Sequence, residues 1–106
     1  LVLAEAVIDA TARVDGGTTI GVGSRIGANS QINASVVFDS AVIGSDVTIT
    51  NSIIGEGSVI GDSCVISDSV VGDFAQVGAG NELRAGARVW VNAQLGDRAI
   101  RFSTDK

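Results

Sequence analysis

The phrases INASVV, ITNSII and ISDSVV begin at Ile32, Ile49 and Ile66, so one six-letter pattern returns every 17 residues. Around them the chain keeps a shorter beat. An aliphatic residue stands at Ile8, Val14, Ile20, Ile26, Ile32, Val37, Ile43 and Ile49. It continues through Ile54, Ile60, Ile66, Val71, Val77, Leu83, Val89 and Leu95. Successive members lie six apart, except across 32→37, 49→54 and 66→71, where they lie five apart. Two residues ahead of each runs a second series of mostly small residues, among them Ala12, Ser24, Ser30, Ser35, Ser52, Ser58, Cys64 and Ser69. Asn81 is the member out of type.

A beat of six matches neither the 3.6-residue turn of a helix nor a long strand. It matches a short strand followed by a tight turn. Residues two apart on a strand share a face, so the small residue and the aliphatic both point inward and the residue between them points out. Gly follows the aliphatic eight times, as in Ile20–Gly21 and Ile60–Gly61, and is read as relieving a turn that needs positive φ. Three such units close one coil of 17 or 18 residues, and coils stack as parallel strands. The expectation is an all-β solenoid of five to six coils forming a single domain over 1–106, with coils over 7–100. Residues 1–6 are expected to form an N-terminal cap or linker and 101–106 a C-terminal tail. The three five-residue steps are read as deletions at one corner, in the turns Asn33–Ala34, Thr50–Asn51 and Ser67–Asp68.

Composition narrows the function classes. The chain has no His, no Pro, no Met and no Tyr, and its net charge is −5. Lacking His, it lacks the commonest general base near neutral pH and the commonest metal ligand. The acidic balance argues against nucleic acid or an anionic membrane, which call for clustered Lys and Arg. No apolar run is long enough to span a bilayer, and Leu1–Leu3 without a basic flank makes a poor signal peptide. A single Cys64 excludes an intramolecular disulfide and suggests a cytoplasmic protein. Leu1 in place of Met suggests a piece of something longer.

Candidate chemistry is sparse. GVGSRIG at Gly21–Gly27 has the look of a phosphate-binding glycine loop, but two consecutive hexads produce the same spacing, without the strand and helix such a loop joins. Cys64 falls in the small inward slot and is read as an inert core residue. Asp62, Asp68 and Asp73 fall in turns, where Asp makes local hydrogen bonds, and a carboxylate row there would hold a cation only weakly. The expectation is therefore no catalytic, cofactor-binding or metal-ligating residue in this chain.

The outward positions are more informative. Sorted by face, one carries Thr19, Val36, Ile53, Val70 and Arg88, and the next Arg25, Val42, Val59, Gln76 and Gln94. The third carries Gln31, Thr48, Val65, Glu82 and Ile100. Two adjoining faces thus bear apolar stripes, Val36–Ile53–Val70 and Val42–Val59. Phe38, Phe74 and Trp90 fall at the corner between them. These eight residues are the candidate interface, since contiguous exposed apolar surface usually marks one.

The sixteenfold hexad resembles the hexapeptide-repeat, left-handed parallel β-helix family over nearly the whole chain, and the left-handed sense is what that resemblance implies. Two enzyme classes use the fold alone, the trimeric acyltransferases and the β-helical carbonic anhydrases. Both depend on His, so both are expected to be excluded as active enzymes, leaving at most a degenerate acyltransferase. NSIIGEGSVIGDSCVISDSVVG and the ending ELRAGARVWVNAQLGDRAIRFSTDK resemble the β-helical tails of sugar-1-phosphate nucleotidyltransferases, most nearly actinobacterial mannose-1-phosphate guanylyltransferases. That implies a non-catalytic assembly domain whose Mg²⁺-dependent parent makes a nucleotide sugar in a separate catalytic domain, GDP-mannose being the product the resemblance points to. The partners implied are further copies of the chain and that domain. Pro residues usual in that ending are missing around Val91 and Leu95–Gly96, which leaves sugar and nucleotide open. The alternative is a stand-alone or engineered β-helical scaffold or binding module.

Overall fold

The computed structural model describes residues 6–84 and 86–97. Sixteen strands of two or three residues occupy these, all paired in parallel, and they wind as a left-handed β-solenoid of about five turns. Sheet I stacks Val7–Ile8, Arg25–Ile26, Val42–Ile43, Val59–Ile60, Gln76–Val77 and Gln94–Leu95. Sheet II stacks Arg13–Asp15, Gln31–Asn33, Thr48–Thr50, Val65–Ser67 and Glu82–Leu83. Sheet III stacks Thr19–Ile20, Val36–Val37, Ile53–Ile54, Val70–Val71 and Arg88–Val89. The chain visits the sheets in the order I, II, III, so each coil has three faces and three corners.

Register is set by the hexad. Ile43 lies between Ile26 and Ile60, Ile49 between Ile32 and Ile66, and Ile54 between Val37 and Val71. Each of these nine side chains is almost fully excluded from solvent, and together they form one continuous core. Burying one such side chain contributes about 1.5–3 kcal/mol before entropy is counted. A slip of one residue would turn every aliphatic outward, so the pattern fixes the pairing.

The inner corners are polar yet satisfied. Ser24, Ser30 and Ser58 donate through Oγ to the carbonyls of Phe38, Gly44 and Gly72 on the next coil, each at 2.7 Å. Asn81, the residue out of type, does the same work with an amide: its Nδ2 donates to Gly78 O at 2.8 Å and Gly96 O at 2.9 Å. Along the II–III corner Thr18, Ser35, Ser52 and Ser69 form a ladder, each hydroxyl accepting the backbone N–H of the next member (3.0–3.2 Å) where one follows. A buried hydroxyl without such partners would cost about 1–3 kcal/mol, which is why the slot takes Ser repeatedly.

The role expected of glycine needs correction. Gly21, Gly27, Gly44, Gly55, Gly61, Gly72, Gly78 and Gly96, which follow the aliphatics, are not the residues at positive φ. The left-handed residue comes two places later, as at Asn29, Ser40, Asp46, Ser63, Phe74 and Asn92. What the first position requires is the absence of a side chain. A Cβ on Gly61 would sit 2.5 Å from Ala79 N and one on Gly55 would sit 2.6 Å from Asp73 N, because the next coil passes directly above. Among the described residues Gly96 meets nothing within 4 Å.

The 17-residue coils do lose their residue at one corner, II–III, as expected. Asn33, Thr50 and Ser67 stay in their strands, however, and the turn narrows to Ala34, Asn51 and Asp68 at φ 51°, 48° and 51°. Ala6 packs against the core in the small slot. The rest of the expected cap, the tail at 101–106 and Ile100 lie outside the described residues.

Candidate functional site

No cavity opens among the described residues, so any site must be a surface. The outer faces differ sharply. Among the described residues the exposed large apolar side chains are Val7, Val22, Phe38, Val42, Ile53, Val59, Val70, Phe74, Trp90 and Val91. Every one lies on sheet I, on sheet III, or at the III–I corner that joins them. Sheet II instead turns out Arg13, Gln31, Thr48 and Glu82, with a half-buried Val65, and Glu82 pairs with Arg84 at 3.5 Å. The apolar surface is thus one edge of the prism.

Of the eight candidate residues, seven are exposed and sit where the sorting by face puts them, with Trp90 the most open at 77%. Val36 is half-buried rather than exposed. Register places Thr19, Val36, Ile53, Val70 and Arg88 in one column of sheet III. Arg25, Val42, Val59, Gln76 and Gln94 form the matching column of sheet I, with Val7 beneath Arg25. Val7, Val22 and Val91 extend the edge beyond the eight candidates. Val7 occupies the ordinary outward position between Ala6 and Ile8, whereas Val22 and Val91 are turn residues, whose exposure depends on how corners stack.

Carboxylates at the corners serve the stack rather than their own turns, which corrects the local reading of Asp62 and Asp73. Asp39 Oδ1 accepts the N–H of Val22, Asp62 that of Ser45, Asp73 that of Glu56 and Asp97 that of Ala79, all at 2.9 Å. Each carboxylate enters the space that a bare Gly leaves open beneath it, at Gly21, Gly44, Gly55 and Gly78. Asp68 stands apart: among the described residues its carboxylate accepts a 3.4 Å bond from the Ser67 hydroxyl. At the base of the I–II corner the Thr11 backbone N–H and hydroxyl both donate to Asp9, holding its carboxyl below the usual range. Among the described residues no three Asp, Glu or Cys side chains gather as a metal site.

Cys64 is buried, and its thiol donates to Gly78 O at 3.1 Å. Burial pushes its pKa up, opposed by the neighbouring backbone N–H groups of Asn81 and Gly80. The thiol is a member of the inner polar column, as its place in the small slot suggests.

With the solenoid and its edge defined, comparison with known proteins places the chain. The sequence model of the EIF2B subunit epsilon LbH domain matches residues 3–100. The chain belongs to this LbH domain family. Among curated proteins, none matches it significantly. Solved structures with the same architecture include a hexapeptide transferase family protein from Anaplasma phagocytophilum, 23% identical with a TM-score of 0.63, over 91% of this chain and 69% of that one. A UDP-N-acetylglucosamine acyltransferase from Francisella novicida is 21% identical with a TM-score of 0.69, over 92% of this chain and 46% of that one. The acetyltransferase domain of PglB from Neisseria gonorrhoeae FA1090, in complex with acetyl coenzyme A, is 22% identical with a TM-score of 0.51, over 88% of this chain and 55% of that one. This LbH chain therefore spans about half to two thirds of the solved chains it matches.

These matches overturn the nucleotidyltransferase expectation, and with it the GDP-mannose parent and its Mg²⁺. The solved structures that share the fold are a hexapeptide transferase family protein, an acyltransferase and an acetyltransferase domain. They also overturn two linked expectations, a non-catalytic role and the absence of any cofactor, since domains of this architecture carry acyl transfer and one holds acetyl coenzyme A. The physical reason is visible in the residues that suggested the other parent. In the ending around GARVW, Gly86 is a left-handed turn residue, Ala87 and Val89 are inner residues and Trp90 is a corner residue. In NSIIGEGSVIG the same slots are filled again. Such phrases encode the coil, not the chemistry of any parent. Among the described residues no helix is long and apolar enough to cross a membrane.

Proposed function

We propose that the chain is a β-helical assembly and binding module of the hexapeptide-acyltransferase type. It associates with further copies through the apolar edge of sheets I and III, and it takes a ligand of the coenzyme A class in the cleft that association creates. The observation carrying this reading is that, among the described residues, the ten exposed large apolar side chains lie on one edge and no cavity opens. A ligand site on such a rod has to be completed by a second surface. Because the sequence contains no His, proton transfer in that cleft falls to a carboxylate or to another chain. The free, buried Cys64 suits a reducing compartment, and the cytoplasm is the proposed location.

The test is titration calorimetry with acetyl coenzyme A on the associated protein. Saturable heat is expected, and it should vanish in the Ile53→Lys variant if that variant is monomeric. No heat from the associated form would sink the ligand part of the proposal. A second reading, a scaffold that holds a different subunit, is favoured by the family model, which describes a domain of a subunit. Pull-down with the edge intact against an Ile53→Lys control separates the two.

A further inference from the structure

Sheet III reads almost the same from either end of the rod. Its outward column runs Thr19, Val36, Ile53, Val70, Arg88: polar, three apolar, polar. We propose that two copies pack sheet III against sheet III with their rods antiparallel, about a twofold axis that runs along the strands through Ile53. The inference rests on the self-association reading above and specifies its geometry.

Two twofold arrangements can bring this face onto itself. An axis along the rod keeps the rods parallel but reverses the strands, so Arg88 of one copy comes opposite Arg88 of the other. It also sets the III–I corner, with Phe38 and Trp90, against the II–III corner, where Asn51 is exposed and Asp68 stands at the turn. Apolar side chains would then face amide and carboxylate, and like charge would face like charge. An axis along the strands removes both conflicts. Ile53 meets Ile53 of the second copy, Val36 meets Val70, and the Arg88 guanidinium meets the Thr19 hydroxyl. The aromatic corner lies along the aromatic corner, with Trp90 toward the end that carries Val22. The corner carboxylates are engaged within their own stacks, Asp39 on Val22 N and Asp73 on Glu56 N.

Area supports one face plus one corner as sufficient. A standard interface takes about 800 Å² from each partner. That is about one-seventh of the chain's 5480 Å², whereas one face and one corner make up about a third of a prism's sides. Sheet I is the weaker candidate, because Arg25 interrupts Val7 and Val42 and leaves only the Val42–Val59 pair.

Facing sheets pack about 10 Å apart, beyond the reach of a disulfide, so a short bismaleimide is the suitable probe. In a Cys64→Ser background, chains carrying Thr19→Cys are mixed with chains carrying Arg88→Cys and treated with the reagent. The antiparallel dimer is expected to cross-link the mixture and to leave each variant alone unlinked, since like residues then lie four coils apart along the rod. Light scattering should give twice the 10.7 kDa of the chain, falling to the single mass in Ile53→Lys with an unchanged circular dichroism spectrum. Self-linking of the Thr19→Cys chain would overturn the antiparallel geometry while leaving self-association intact. So would a dimer that links only through Val42→Cys mixed with Val59→Cys. A monomeric wild-type chain at all concentrations would overturn both this inference and the association on which it rests.

Discussion

Ile49 on sheet II and Ile54 on sheet III are equally buried, each at 0% exposure, yet the residues before them face different surroundings. Thr48 precedes the first and Ile53 the second, and both point outward. The two sheets share a core, a register and an inner Ser ladder at the corner between them. Only the outside differs, polar on sheet II and apolar on sheet III and its corner. The interior of each coil is dictated by the need to bury one aliphatic per strand. The exterior is free of that demand, so its composition carries information about what the surface meets.

The comparison can be broken first at the interior. Ile49→Ala and Ile54→Ala should each cost about 2–5 kcal/mol, read by thermal or denaturant melts, and should cost nearly the same. A large inequality would mean that the two sheets do not share one core. Next comes the close approach of the coils. Gly55→Ala places a Cβ 2.5–2.6 Å from Asp73 and should cost about 1–3 kcal/mol, whereas Gly96→Ala, whose Cβ meets no described residue within 4 Å, should be close to neutral. If the two alanines cost the same, stacking is not what selects glycine at this position.

Third is the exterior contrast itself. Thr48→Lys on sheet II should move the melting free energy by no more than about 0.5 kcal/mol, as surface changes do, whereas Ile53→Lys on sheet III should also lose the stabilisation that association lends. Light scattering should separate them, with dissociation expected only for Ile53→Lys. Equal behaviour would erase the distinction between the faces. The smallest effect concerns Cys64. Because burial raises its pKa, the folded state favours the thiol, and this preference weakens stability only as pH climbs past the ordinary cysteine value. At neutral pH an alkylating reagent should leave Cys64 unmodified until denaturant opens the stack, as mass spectrometry would show.

Much of the candidate edge could be read before the structure was known. Ile53, Val70, Val42 and Val59 occupy outward strand positions, and strand alternation alone assigns their direction. Val36 shows the limit: the same alternation turns it outward, but the folded chain leaves it half-buried. Val22 and Val91 escaped notice because a turn has no such alternation. The stacking carboxylates escaped for a related reason. Asp39 and Asp73 bond to residues 17 positions earlier, and nothing in a local turn pattern distinguishes that partner from a nearer one.

By itself the sequence determined the solenoid. A repeated pair of inward residues, held in phase over some ninety residues, leaves a parallel stack as the arrangement that buries them all. It also determined which corner is short, since the five-residue steps recur at one place in each coil. The tertiary structure decided what the glycines are for and where the carboxylates bond, and it gathered ten scattered apolar residues onto one edge. Those features depend on distances between successive coils, about 4.8 Å apart in space but 17 or 18 residues apart along the chain.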